Sequence, residues 1–318
     1  MKKINKAVEK LKTASKLSET YYNKPLVITY SGGKDSDVLL NLALNSGINF
    51  KVVNSHTTLD APQTVYHIRQ VKKELENNNI EFEIKKPRLN DKPVTMWELI
   101  KKYDFPPTRL HRYCCKVLKE TSIPNSLIAL GVRAEESTQR KNRGDFEVRG
   151  KTKKDAKIFT FEHTKEVFDD ALDFSRLLNM DINEENAFDC SLISNCKKKN
   201  DIIVNPIIEW THSDIWEYIR SNNITYNPLY DMGYQRVGCI GCPEASFKQK
   251  CKQFHDFPKY KENYIKTFDE VIKSRKERNK PFILSNGKEI KSGEELFDWW
   301  IEKDKYCGYK GQLSFNFD

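Results

Sequence analysis

Apolar and polar positions divide the chain into short, alternating segments. Leu26-Val27-Ile28-Thr29-Tyr30 is a β-rich apolar run that breaks at Ser31-Gly32-Gly33, after which Val38, Leu39, Leu42 and Ala43 recur as one face of a helix requires. The stretch reads as strand, tight loop, helix. Upstream, residues 1–24 read as a polar amphipathic helix whose sparse apolar positions are Val8, Leu11 and Leu17. Downstream, Asn49 to Thr58 reads as a second strand with its trailing loop. Ala61 to Asn79 forms a helix with Val65, Ile68, Val71 and Leu75 inward, Ile80 to Ile84 alternates as a third strand, and Val94 to Tyr103 is helical. Ser126 to Arg133 is another apolar strand. The β-α-β-α-β order predicts the α/β class, with a doubly wound parallel sheet.

From Lys141 to Asn200 the periodicity weakens through a basic stretch around Lys151–Lys157, an acidic helix near Glu166–Leu178 and a polar segment at Asn183–Asn186. This region is expected to be an insertion, at about 141–200. Order returns at Val204 to Ile219, where Thr211 or Ser213 can cap a helix whose inner face is Ile215, Trp216 and Ile219. Phe247 to Lys280 is basic, aromatic and helical, and a final helix surrounds Glu294–Lys303.

At 318 residues and 38% hydrophobic content, the chain can bury one large α/β core with an appended subdomain. Lys and Arg exceed Asp and Glu by 54 to 45, and the resulting +9 suits an anionic partner without choosing among nucleotides, sulfated nucleotides and nucleic acid. No apolar run approaches the about 20 residues needed to span a bilayer, and Met1 to Lys6 lacks the apolar core of a signal peptide. No membrane association and a cytoplasmic location are expected. There, eight cysteines point to metal or redox chemistry rather than structural disulfides.

The loop Ser31-Gly32-Gly33-Lys34-Asp35-Ser36 has the make-up of a phosphate cradle. Its glycines allow a tight turn with close backbone approach, and the following helix points its positive end at the same place. Ser31 and Ser36 add hydroxyl donors, Lys34 adds a compact charge, and Asp35 suits a helix cap or a partner to phosphate-bound Mg²⁺. A plain glycine turn before a capped helix is the alternative. In doubly wound sheets ligands sit beyond the carboxyl ends of strands, so Thr57, Thr58 and Asp60, after the second strand, are candidates to face a nucleotide, with a helix cap equally suited to Asp60. Arg133 and Arg140 leave the same end of the sheet and suit bidentate contact to phosphate or sulfate, unless Glu135 and Glu136 pair with them.

The loop resembles the SGGxDS motif of the PP-loop ATP pyrophosphatases, the adenine nucleotide α-hydrolases, which split ATP between its α and β phosphates. Gly131-Val132-Arg133-Ala134-Glu135-Glu136-Ser137 followed by Arg140 resembles the GxRxxES segment of the phosphoadenosine phosphosulfate (PAPS) reductase branch. Pro206-Ile207-Ile208-Glu209-Trp210-Thr211, Tyr226-Asn227-Pro228-Leu229-Tyr230-Asp231 and Gly238-Cys239-Ile240-Gly241-Cys242 resemble successive segments of PAPS and adenosine phosphosulfate (APS) reductases. The resemblance covers roughly residues 25–245. It implies an adenine nucleotide α-hydrolase-like fold and a nucleotide-binding domain over 1–245, with a basic helical region over 246–318. It also implies ATP contacts at Tyr30, Ser31, Gly32, Gly33, Lys34, Asp35, Ser36, Thr57, Gly131, Arg133 and Arg140.

Cys239-x-x-Cys242 can share one metal, and Cys114-Cys115 supplies a second pair. Four thiolates suit tetrahedral zinc or a 4Fe-4S cluster, and spacing alone does not decide. The resemblance to APS reductases, and to the sulfur-transfer enzymes of DNA phosphorothioation, implies the cluster. Cys190 and Cys196 are alternative ligands or ordinary buried thiols, and Cys251 reads as incidental. In the reductases a thiolate near the C-terminus attacks sulfur; its counterpart here is Cys307, in Tyr306-Cys307-Gly308-Tyr309-Lys310, which keeps only Cys-Gly.

Three functions follow. The first is an ATP pyrophosphatase that adenylates an acceptor, releases pyrophosphate and installs sulfur, with Lys34, Asp35 and Arg133 as catalytic residues. ATP, Mg²⁺ and a 4Fe-4S cluster are its cofactors, and a cysteine desulfurase or thioredoxin-type protein is its sulfur donor. The second is a PAPS or APS reductase with Cys307 as nucleophile. The third is a nucleic-acid-binding component of a DNA modification assembly, in which the lysines from Lys248 to Lys280 interleave with Phe254, Phe257, Tyr260 and Tyr264 as a DNA or RNA face. A homodimer is a further expectation. The intact loop and the poor match at Cys307 favour the first.

Overall fold

Leu26, Val27 and Ile28 are all fully buried, as a strand covered on both faces must be. The computed structural model describes residues 2–119, 123, 126–141, 143–148, 157–159, 202–284 and 286–303. It divides into two compact units. The first takes Met1–Asn54, Gln63–Ile84 and Ser122–Val237; the second takes Ser55–Pro62, Lys85–Thr121 and Gly238–Asp318. The second unit thus draws on earlier segments as well as the C-terminal region.

In the first unit, strands β1 (Leu26–Thr29), β2 (Phe50–Ser55), β3 (Phe82–Lys85), β6 (Leu127–Ala129), β7 (Phe146–Val148), β8 (Lys157–Phe159) and β9 (Ile202–Val204) form one sheet in the order β3-β2-β1-β6-β9-β7-β8, while β4 (Arg88–Leu89) and β5 (Lys92–Pro93) pair with each other in the second unit. β1 pairs in parallel with β2 (Leu26 opposite Phe50) and with β6 (Val27 opposite Ile128), and β6 pairs in parallel with β9. β7 and β8 extend the sheet antiparallel, so Phe146–Val148, inside the span expected to be an insertion, belongs to the core sheet. Alternation divides the strands cleanly. Leu26, Ile28, Val52, Leu127 and Ala129 enter one apolar cluster, while Val27, Val53 and Ile128 enter the other.

The larger cluster is covered by α1 (Lys2–Tyr22), through Ala7, Leu11, Ala14 and Leu17, and by α2 (Lys34–Leu44), through Val38, Leu39, Leu42 and Ala43. α3 (Pro62–Asn77) adds Ile68 and Leu75; Val65 and Val71 are half-buried. Two later helices are the short α5 (Thr138–Lys141) and α6 (His212–Ser221), the second capped by Thr211, whose hydroxyl accepts from Asp214 N–H at 3.2 Å while the Asp214 carboxylate accepts from Thr211 N–H at 2.6 Å. The chain runs from β1 outward to β3 on one side and resumes at β6 on the other. The loops after β1 and β6 therefore lie at the point where strand order reverses, which is where doubly wound sheets bind ligands.

The second unit is built on α4 (Met96–Tyr103), α7 (Phe247–Asp256), α8 (Pro258–Glu277) and α9 (Gly293–Lys303). Tyr264, Phe268, Phe297 and Trp300 fill its centre with edge-on and tilted contacts, Tyr264 to Trp300 at 4.8 Å and Trp97 to Tyr264 at 4.9 Å between centroids. The Trp300 indole N–H donates to Pro107 O at 2.7 Å. Among the described residues no helix is long and apolar enough to cross a membrane.

Candidate functional site

The Ser31–Ser36 loop turns where Gly32 has φ +70°, and a Cβ there would stand 2.9 Å from Ile68 Cγ1, so both backbone conformation and space call for glycine. Ser36 ties the loop together. Its hydroxyl accepts from Gly33 N–H at 3.1 Å and Ser31 N–H at 3.3 Å, and donates to Gly33 O at 2.7 Å. The loop leads into the N-terminus of α2, whose first amides lack intrahelical partners. Lys34 is buried, its Nζ 3.3 Å from Gln235 O and 3.5 Å from Asp35 Oδ2; its backbone N–H donates to the Tyr230 hydroxyl at 2.9 Å. Burial pushes the Tyr230 hydroxyl pKa up, so it meets the loop as a neutral group.

Gly131 brings the loop after β6 against α2. A Cβ there would lie 2.9 Å from Asp35 O and 3.2 Å from Ser36 N. Two residues on, Arg133 is buried and donates from Nε to Asp35 Oδ1 at 2.5 Å and from Nη1 to Glu135 Oε2 at 2.9 Å. Arg140 pairs with Glu136. Both expected anion-binding arginines are thus held by carboxylates, and Asp35, considered for a cap or a cation, holds Arg133.

Tyr30 departs from its expected ligand contact. Strand alternation turns its ring into the core, where its hydroxyl donates to Asp37 Oδ1 at 2.5 Å and His67 Nε2 lies 3.0 Å from the same oxygen. Burial raises the Asp37 pKa against the hydrogen bonds from His67 and Tyr30. The network fixes the first turn of α2 from beneath.

The second unit gathers all four expected cysteine ligands. Cys114, Cys115, Cys239 and Cys242 line one small cavity together with Thr57, Leu59, Met96, Leu118, Lys119, Gly241 and Pro243. Gly241 has φ +73°, and a Cβ there would meet Trp300 at 2.9 Å and Phe254 at 3.0 Å. The Cys239–Cys242 turn is clamped by Gln253, which the sequence did not single out, and by Tyr264, expected on a nucleic-acid face: Gln253 Oε1 accepts from Gly241 N–H at 3.0 Å, and the Tyr264 hydroxyl donates to Ile240 O at 3.1 Å. Arg109 Nε donates to Pro243 O at 3.0 Å. Burial pushes the Cys239 thiol up while Lys119 opposes it, and in turn the field of Cys239 raises Lys119. The adjacent Cys115 thiol and burial raise Cys114.

Thr57, expected at a nucleotide, accepts from the Cys239 thiol at 3.4 Å instead, and the Asp60 carboxylate accepts from Thr57 N–H at 3.0 Å. The expected nucleic-acid face also changes. Phe254, Phe257 and Tyr264 are buried in the second unit's core and offer no stacking surface, and Lys250 is fully buried, its Nζ 5.5 Å from the Trp300 ring centroid. Cys190, Cys196 and Cys307 lie outside the described residues, as do most of 141–200 and the tail beyond residue 303. No three His, Cys, Asp or Glu among the described residues are gathered round one point as a single metal ion requires.

A doubly wound sheet with an SGGKDS loop at its switch point defines an α/β protein of the PP-loop class. Residues 25–245 match the phosphoadenosine phosphosulfate reductase domain, and the chain belongs to that family. It is 26% identical over 242 residues to an uncharacterized protein of Methanocaldococcus jannaschii, a match covering 76% of this chain and 41% of that protein, so the chain spans less than half the length of that relative. It is 27% identical over 226 residues to an adenosine 5'-phosphosulfate reductase of Bacillus cereus, covering 70% of this chain and 74% of that enzyme. A crystal structure of PAPS reductase from Candida auris aligns with a TM-score of 0.44 at 17% identity, covering 74% of this chain and 89% of the other.

Proposed function

We propose that the protein is an ATP pyrophosphatase-type sulfur-transfer enzyme, and the observation that carries this reading is the complete Ser31–Ser36 loop on the N-terminus of α2. In this reading an acceptor oxygen attacks the α-phosphorus of ATP, the bond to the bridging oxygen breaks, and pyrophosphate leaves. The loop amides and the Lys34 ammonium take up the charge of the departing pyrophosphate, and Arg133 faces the α-phosphate. The terminal sulfur of a persulfide on a cysteine desulfurase-type donor then displaces AMP from the adenylated acceptor, a nucleic acid or a small molecule, and a dithiol of a thioredoxin-type protein reduces the resulting S–S bond, releasing the thiolated acceptor and the donor's thiol. Asp35 is held by Arg133 in the free protein, and once Arg133 turns to the α-phosphate Asp35 would hold Mg²⁺, which supplies charge neutralisation to the phosphates.

Cys114, Cys115, Cys239 and Cys242 would hold a 4Fe-4S cluster, which supplies thiophilic, redox-active iron. The donor set fits: four thiols on one cavity with the apolar side chains of Leu59, Met96 and Leu118 and the cation Lys119. These four cysteines, lining one cavity, would supply the four-thiolate ligand set that such a cluster takes. Tyr264 and Gln253 keep the Cys239–Cys242 turn in place.

A second reading, PAPS or APS reductase, is favoured by the 27% identity to the Bacillus cereus enzyme, and would need Cys307 as nucleophile. Product analysis separates the two. Offered ATP with Mg²⁺ and, separately, PAPS and APS with reduced thioredoxin, the anaerobic protein is expected to yield pyrophosphate and no sulfite. Sulfite that disappears in Cys307→Ser would establish the reductase instead.

A further inference from the structure

The first amide of a helix has no partner within the helix and is normally left for a cap or a ligand. In α2 that amide, Lys34 N–H, is taken by the Tyr230 hydroxyl at 2.9 Å, and the Lys34 ammonium donates one of its three N–H groups to Gln235 O at 3.3 Å. Both acceptors belong to one run, Tyr226–Val237. The run is anchored on either side of the contact. Asn227 is fully buried and donates to Gly32 O at 2.9 Å and Thr64 Oγ1 at 3.0 Å, while Leu229 and Tyr234 are buried. Between the anchors Gly233 bends at φ +83° with open space where a Cβ would stand. The Tyr230 ring packs edge-on to Trp216 at 5.3 Å, so its hydroxyl leaves Lys34 only when the run itself moves, and Gly233 supplies the bend for that movement.

We propose that Tyr226–Val237 is an autoinhibitory strap on the phosphate loop, occupying the Lys34 backbone N–H and one of the three ammonium donors until an anion displaces Tyr230 and Gln235. The inference rests on reading the loop as the nucleotide site. One N–H cannot serve a phenolic oxygen and a phosphate oxygen at good geometry. A phosphate oxygen, being charged, is the stronger acceptor and wins the exchange. Arg133 is held in the same way by Asp35 and Glu135, so the free loop presents its cations already paired.

Tyr230→Phe tests the strap. It keeps the ring packing on Trp216 and Tyr226 but leaves Lys34 N–H without its acceptor in the free protein only. The variant is expected to unfold at lower urea and yet bind AMPCPP with Mg²⁺ about fivefold more tightly, the factor equivalent to about 1 kcal/mol. A Tyr230 with a structural role alone would lower both. Lys34→Ala, measured in parallel, separates the strap from the reading beneath it. Unchanged or weaker binding by Tyr230→Phe, with binding still dependent on Lys34, overturns the strap and leaves the loop. Binding indifferent to Lys34→Ala overturns both. Hydrogen exchange on the unmodified chain gives an independent result: saturating AMPCPP is expected to speed exchange at residues 230–236, and slowed exchange there would refute displacement.

Discussion

Replacing Gly131 by alanine pushes one methyl group into the start of α2. Its Cβ would lie 2.9 Å from Asp35 O, 3.0 Å from Asp35 C and 3.2 Å from Ser36 N, all backbone atoms that cannot swing aside. Reaching ordinary contact requires a retreat of about half an ångström. Overpacking of this kind costs about 1–3 kcal/mol, and the narrower unfolded ensemble of alanine returns about 0.4–1 kcal/mol. Urea titration should therefore show a net loss of about 1–2 kcal/mol. The displacement falls on the Arg133–Asp35 contact and the first amides of α2, so affinity for AMPCPP should fall about tenfold, scaled from the roughly hundredfold cost of a 1 Å misplacement. Gly238→Ala is the control, since open space surrounds its Cβ position and stability should hold. Wild-type stability and affinity in Gly131→Ala would refute the close approach of the two loops.

Cys242→Ala should lose its iron and brown colour on anaerobic reconstitution while retaining loop affinity for AMPCPP; full iron content in the variant would dismiss the four-cysteine ligand set. Acid titration of stability probes Asp214. Burial opposes its charge, but the Lys3 ammonium, at 2.7 Å, and the Thr211 N–H and hydroxyl outweigh burial and hold its pKa at about 2 against an ordinary 3.8. A depressed carboxylate stabilises above its unfolded value and loses that contribution as pH falls through the folded one. The stability gap between wild type and Asp214→Asn should accordingly be constant above pH 4 and close between pH 4 and pH 2. A gap that widens on acidification would contradict the assignment.

The sequence was most legible where local chemistry and periodicity agreed. Leu26–Leu44 announces a strand, a glycine loop and a helix in consecutive residues, and the adjacent pair Cys114-Cys115 with Cys239-x-x-Cys242 lines one cavity. It was least legible where long-range partners reverse a residue's apparent character. Lys10 falls in a helix read as polar and Lys250 in the expected nucleic-acid face, yet Lys10 is 1% exposed and bonds Asp145 at 2.5 Å, and Lys250 lies over the Trp300 ring. Phe254 and Tyr264 looked like a stacking face because charge density on a helix does not reveal which stripe a neighbouring helix covers. Strand β7, only three residues long, carries too short a pattern to be recognised inside a region of weak periodicity. Thr57 followed the second strand as a nucleotide contact should, and only the fold gives it the Cys239 thiol as partner.

The most direct measurement is pyrophosphate release from ATP and Mg²⁺ by anaerobic wild-type protein and Lys34→Ala, with iron assayed on the same samples. Release by the wild type, its loss in Lys34→Ala and equal iron in both are the predicted result. Equal pyrophosphate release from the two proteins would contradict the assignment of the Ser31–Ser36 loop as the site that splits ATP.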